Sequence, residues 1–294
     1  MKIRILGVAF LIIIFFTGCT KSNNYVIKNT EAIPEITVSE VNESMGVMDN
    51  KAVNSAPAPE VTKSSTNEDD SSKAEQFKTP SVQLLAGKTI CIDAGHGNPN
   101  HEIKNEPIAP SDGTLKPATA YGTTGVSTKV PEYKLTMAVS IKIRDELIKQ
   151  GARVIMTREG NDVDLGNIER AEIANRESAD IAVRIHADGF DNSSVNGISV
   201  LYPGNQYIKD LELLKKSKTA AKNVLDELVK STGGKSRGIS ERNDLTGFNW
   251  SKVPVILVEM GFMTNPEEDV LLNSEEYQNK IVQGIVKGLI IYLK

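Results

Sequence analysis

Thr89-Ile-Cys-Ile-Asp93 followed by Ala94-Gly-His96-Gly97 is an apolar run of strand length that ends in a histidine with a glycine on each side. Two more runs of the same kind occur downstream. Ile181-Ala-Val-Arg-Ile185 leads into His186, and Val255-Ile-Leu-Val258 leads into Glu259. Short, near-continuous apolar runs bounded by turn residues read as strands buried on both faces, the kind found in parallel sheets. Further runs of strand length lie at 152–156 and 197–202. Between them the spacing predicts helices over 132–149, 164–177, 206–231 and 275–292; on the last, Tyr277, Ile281, Ile285, Leu289 and Tyr292 recur at helical spacing. Gly151 stands where a helix-ending glycine belongs. Strands alternating with helices define an α/β fold. The expected architecture is one catalytic domain, a mostly parallel or mixed sheet of about six strands with helices on both faces.

In such sheets ligands bind outside the carboxyl ends of the strands. His96, His186 and Glu259 therefore converge, and Glu132 joins them as a candidate from the start of the first long helix, beside Pro131. Two imidazoles and two carboxylates are the donor set of a zinc hydrolase: three ligands, an open position for water, and a carboxylate left over for proton transfer. Amide hydrolysis fits that division of labour. The residues alone leave open which glutamate binds metal, and no HExxH pair places two ligands on one helix turn.

The segments Ile92-Asp-Ala-Gly-His-Gly97, Pro131-Glu132, Thr157-Arg158, Arg170-Ala-Glu-Ile-Ala-Asn175, Arg184-Ile-His186-Ala-Asp188 and Leu257-Val-Glu259-Met-Gly-Phe-Met-Thr-Asn-Pro266 occur in an order that resembles the zinc-dependent N-acetylmuramoyl-L-alanine amidases of type 3. The resemblance runs over about residues 87–294, an ordinary single-domain length. It implies cleavage of the bond between the muramic acid lactyl group and the first L-alanine of the peptidoglycan stem. It also implies a Zn2+ held by His96, Glu132 and His186, with Glu259 as the catalytic carboxylate. Asp188 stands where many members have Asn. Another zinc peptidase of peptidoglycan stems, or an inactive wall-binding lipoprotein, are the alternative readings.

Residues 98–130 separate the first two ligands by far more than the usual connection of about 4–6 residues. That stretch is the expected lid or substrate wall. In some members of the family a helix inserted after the second histidine strand covers the zinc; here Gly189–Asn196 is too short and polar for one, so no autoinhibition is expected from it. His101 lies in a polar stretch and reads as solvated. Arg158 and Arg170 read as organisers of the fold, and Asn265 as the shaper of the turn before Pro266.

The amino terminus sets the expected compartment. Lys2 and Arg4 precede an apolar core, Leu6–Phe16, shorter than the about 20 residues of a bilayer span. It ends Phe16-Thr-Gly-Cys19, which resembles a lipobox although Phe16 replaces the usual Leu. The expected organisation is a lipoprotein-type signal peptide (1–18), a disordered membrane tether (19–84) and the catalytic domain (85–294). The protein is then exported, anchored through a lipidated Cys19 and facing the wall. The Ser-, Asn- and Pro-rich tether has a reach of roughly 40–50 Å. With Cys19 lipidated only Cys91 remains, in an apolar strand, so no disulfide forms within the chain. A net charge of -4 offers no basic surface, so nucleic acid is not an expected partner. The expected state is a monomer, with an activator of unspecified identity left open.

Overall fold

Side-chain alternation along the apolar runs organises the molecule. The structure is a computed structural model that describes residues 83–97 and 103–294. The signal segment, Cys19, the tether up to residue 82, and His101 lie outside the described residues. The elements are β1 (Thr89–Ala94), β2 (Asn105–Ala109), β3 (Asp112–Pro117), α1 (Glu132–Lys149), β4 (Arg153–Met156), α2 (Asn167–Arg176), β5 (Ile181–Asp188), β6 (Ile198–Pro203), α3 (Leu211–Thr232), β7 (Ser236–Arg242), α4 (Thr246–Asn249), β8 (Val255–Phe262), α5 (Pro266–Leu272) and α6 (Glu275–Leu293). Six strands form one sheet in the order β4-β1-β5-β8-β6-β7. All neighbours run parallel except β6, which is antiparallel to β8.

Because strand side chains alternate between faces, each run divides its residues between two cores. Ile90, Ile92, Ile181, Val183, Ile185, Ile256, Val258 and Met260 pack with α1, α3 and α6. Cys91, Ala182, Val255 and Leu257 pack on the opposite face with Ala174 of α2 and Phe248 of α4. Carried two residues further along each strand, this second face is the one that bears Asp93, Arg184, His186 and Glu259. Short helices cover it incompletely, so the strand ends stay accessible there.

Helices α1 and α6 coincide with the expected spans. Gly151 takes a left-handed φ of 89° just past α1 and donates its N–H to the Ile148 carbonyl. The helix expected over 206–231 starts at Leu211 instead, because Asp210 caps it by accepting from the Glu212 and Leu213 N–H groups. The helix expected over 164–177 is trimmed to α2, which begins after Gly166. The structure adds elements that the periodicity did not show: the edge strand β7, the four-residue α4, the seven-residue α5, and a β2–β3 hairpin inside the stretch read as a loop. That hairpin is pinned to the body. Trp250 and Asn249 donate to the carbonyls of Pro107 and Ile108, Tyr207 to Asp112, and Lys116 to the Asp244 carbonyl. These bonds tie it to the body of the domain. No helix occurs between Gly189 and Gly197.

Candidate metal centre and active site

His96 follows the end of β1, Glu132 opens α1, and His186 and Glu259 sit on adjacent strands as registered partners of the β5–β8 ladder. Glycines flanking His96 suggest that they make the turn, but the left-handed residue is His96 itself, with φ of 62°. Such a conformation is uncommon outside glycine and needs local support. Arg170 supplies it by donating to the His96 carbonyl at 2.7 Å and the Ala94 carbonyl at 2.9 Å. Arg158 donates to the Ala94 and Gly95 carbonyls at 2.8 and 2.9 Å. Gly95 contributes space: a Cβ there would lie 2.5–2.7 Å from the His186 ring.

Both arginines and Arg184 are buried, so their charges need compensation. Asp93 supplies it for Arg170 and Arg184, accepting from them at 2.7 Å each and from the Thr157 hydroxyl at 2.6 Å, while Arg158 donates to carbonyls, including those of Ala94, Gly95 and Tyr133. Burial alone would raise the Asp93 pKa, but the two guanidinium charges and the hydrogen bonds hold it far below the usual carboxylate range. Burial, followed by the charge of Arg170, draws Arg158 down to about 10. The turn carrying His96 thus rests on a buried ionic frame.

Inside that frame three donor atoms meet. Glu132 Oε1 lies 3.0 Å from His96 Nε2 and 3.2 Å from His186 Nδ1, and the two ring nitrogens are 3.1 Å apart. All lie within 4.8 Å of one another. The His96 Nδ1 is 2.8 Å from the Ala120 carbonyl, which selects the tautomer with a proton on Nδ1 and a lone pair on Nε2 facing the cluster. Glu132 is oriented twice more, its Oε2 accepting from the Thr123 N–H at 2.9 Å and its Oε1 from the Ala187 N–H at 3.0 Å. Burial opposes ionisation of Glu132, yet the hydrogen bonds and charges of His186 and His96 keep its pKa well below the usual range. Burial pushes His186 down to about 4, so the ring stays a neutral donor. Two lone-pair nitrogens and a carboxylate oxygen aimed at one point fit a divalent cation of borderline softness such as zinc.

Glu259 is outside this close group. It lines the same cavity of about 690 Å³, together with Asp188, Arg242, Phe190 and the hairpin residues Lys116 and Pro117. Its Oε2 is buried without a hydrogen-bond partner. Burial first, then the charges of Glu132 and Asp188, push its pKa well above the ordinary carboxylate value. A raised carboxyl beside an electrophilic centre is suited to general acid–base work. Asp188 accepts from the Gly189 N–H and is itself raised, mainly by burial.

The N-acetylmuramoyl-L-alanine amidase family model matches residues 90–290, which spans all four of these residues. The chain belongs to that family. This amidase is 31% identical over 218 residues to the N-acetylmuramoyl-L-alanine amidase Rv3717 of Mycobacterium tuberculosis, covering 71% of this chain and 88% of the relative. It is 28% identical over 222 residues to the germination-specific N-acetylmuramoyl-L-alanine amidase of Bacillus subtilis, covering 71% and 81%. The crystal structure of the amidase Ami1 from Mycobacterium smegmatis superposes with a TM-score of 0.65 at 28% identity, over 71% of this chain and 98% of that one.

Sequence reasoning overlooked the roles of Asp93 and Arg184, although both stand inside its quoted motifs. Charges within an apolar strand were the available signal, since a buried charge calls for a partner. The Thr123 N–H and Ala120 carbonyl left no trace in residue type, because backbone groups do the work.

Proposed function

We propose that this amidase cleaves peptidoglycan with the help of a zinc ion, at the amide joining the lactyl group of N-acetylmuramic acid to the first L-alanine of the stem. The observation that carries the zinc reading is the meeting of His96, Glu132 and His186 donor atoms beside Glu259 in one cavity. His96, Glu132 and His186 would hold the ion. Zinc, when bound, supplies a Lewis acid and lowers the pKa of water to roughly 7. Glu259 takes the proton from the attacking water and returns it to the leaving alanine nitrogen, a role for which its raised pKa and unpartnered oxygen suit it. Asp93, Arg158 and Arg170 keep His96 in its strained conformation, and the Ala120 carbonyl, accepting from Nδ1–H, selects the tautomer whose Nε2 lone pair faces the cluster.

We also propose that the enzyme works from the outer face of the membrane, anchored through Cys19. The basic start, short apolar core and Thr17-Gly-Cys19 ending support this. The deciding experiment for the reaction is mass spectrometry of digested wall with and without a chelator. Free lactyl ends with intact stems, abolished by chelation and restored by zinc, are expected. Cleavage within the stem would identify a peptidase instead.

A further inference from the structure

The seven-residue α5 contributes no residue to the cavity, yet its polar side chains reach the segments that carry three site residues. Asn265, its N-cap, donates to the Ser193 carbonyl beyond β5. Glu268 accepts from the Phe262 N–H just past Glu259, at 2.7 Å, and from the Gly197 N–H at 2.9 Å. Asp269 is fully buried and turns toward the segment before Glu132. Its Oδ2 accepts from the Ser127 and Thr128 N–H groups, both at 2.7 Å. Its Oδ1 accepts from the Thr128 hydroxyl at 2.7 Å and the Asn273 amide at 3.1 Å.

The segment so held is a closed turn with its own internal bonds. Gly125 N–H donates to the Val130 carbonyl at 2.9 Å, and Lys129, at φ 59°, donates to the Gly125 carbonyl. A Cβ at Gly125 would overlap Asp269 Oδ1, so the glycine is what lets the carboxylate in. At its open end the turn closes twice on Glu132: the Glu132 N–H donates to the Thr123 carbonyl, and the Thr123 N–H donates to Glu132 Oε2, each at 2.9 Å. Whatever fixes the tip at Ser127–Thr128 therefore fixes the donor that aims the Glu132 carboxylate.

We propose that Asp269 is a positioning residue for Glu132, holding from α5 the turn that points this carboxylate at His96 and His186. The assignment rests on the zinc reading above. Groups that orient metal ligands typically contribute about 10- to 100-fold in metal affinity. Asp269→Ala, folded by circular dichroism, is expected to bind zinc about 10- to 100-fold more weakly and, when loaded with cobalt(II), to show an altered visible absorption band. Asp269→Asn keeps one carbonyl oxygen for the two turn N–H groups and should recover part of both signals.

A role confined to stability would lower the melting temperature while leaving zinc affinity and the cobalt band unchanged, and that result overturns the proposal. Should Asp269→Ala fail to fold, Thr128→Val, which removes the hydroxyl that donates to Asp269 and accepts from the Val130 N–H and the Asn273 amide, is read in the same two assays; wild-type values there overturn it equally. Wild-type protein that takes up neither zinc nor cobalt sinks the metal reading and this assignment together. Wild type that binds them beside an indistinguishable Asp269→Ala sinks the assignment alone.

Discussion

Replacing Gly95 with alanine adds one methyl group just past the end of β1, against the His186 ring. Gly95 lacks the left-handed φ that would itself resist a side chain. Its new Cβ would stand 2.5, 2.6 and 2.7 Å from Cε1, Nε2 and Nδ1 of that ring. Carbon contacts settle at about 3.5–4.0 Å, so ring and backbone must separate by about 1 Å. The backbone resists, because Arg158 and Thr136 donate to the Gly95 carbonyl and the Gly95 N–H donates to the Ile185 carbonyl. The ring must yield instead, while metal–ligand distances tolerate about 0.2 Å. Overpacking of this kind costs roughly 1–3 kcal/mol. At tenfold per 1.4 kcal/mol that is about 5- to 150-fold in zinc affinity, with turnover falling alongside. Competition against a chelating dye measures the affinity, and dye release from labelled wall measures turnover. Gly113→Ala, whose Cβ meets nothing within 4 Å, is the matched control. A folded Gly95→Ala protein with wild-type zinc affinity and activity would refute the placement of His186 in the metal shell.

Glu259→Gln keeps the shape but cannot accept a proton, so it should retain zinc by elemental analysis while turnover drops about 10²- to 10⁴-fold; near-normal turnover in the zinc-replete variant removes Glu259 from the chemistry. Asp93→Asn leaves Arg170 and Arg184 buried against a neutral group, and loss of about 3–5 kcal/mol is expected in thermal unfolding at neutral pH. Because folding lowers the Asp93 pKa, its contribution is complete above the unfolded value near 3.9 and is lost as pH falls below it. The variant should therefore show a flatter acid branch than wild type, and parallel branches would contradict this. Cys19→Ala should shift the protein from the membrane fraction to the soluble one on fractionation; unchanged retention would remove the lipid anchor.

The central sheet was legible because β1, β5 and β8 are buried on both faces and therefore spell themselves as apolar runs. The same logic made β7 invisible. Its Ser236–Arg242 sequence is an exposed edge that has no need of an apolar signature. The hairpin escaped for a related reason: β2 holds a proline and β3 is mostly exposed, leaving only the short Pro110-Ser111 turn between them to betray it. At the site, the three strand-end residues were placed by the rule that ligands gather at carboxyl ends of strands. Glu132 was a candidate from its place beside Pro131 at a helix start, but its role as ligand rather than base came from the family resemblance, because the residues alone leave open which glutamate binds metal. Nothing in the residue string connects Asp269 to Ser127, since that contact is made by backbone groups 142 positions away.

The sequence distance between the donors has a consequence for how the enzyme matures. His186 is 90 residues from His96 and 54 from Glu132, and they meet only after β1 has paired with β5 and α1 has packed on the sheet. Even His96 and Glu132, the nearest pair along the chain, come from the end of β1 and the start of α1, so no local turn brings two donors to binding distance. On the zinc reading proposed above, the ion arrives late, as cargo accepted by a sheet already built, and it does not nucleate the fold as it does in small zinc-stapled domains. Stripping the ion should leave a folded protein ready to be reloaded, and the occupancy of the site doubles as a gauge of how much of the sheet has been completed.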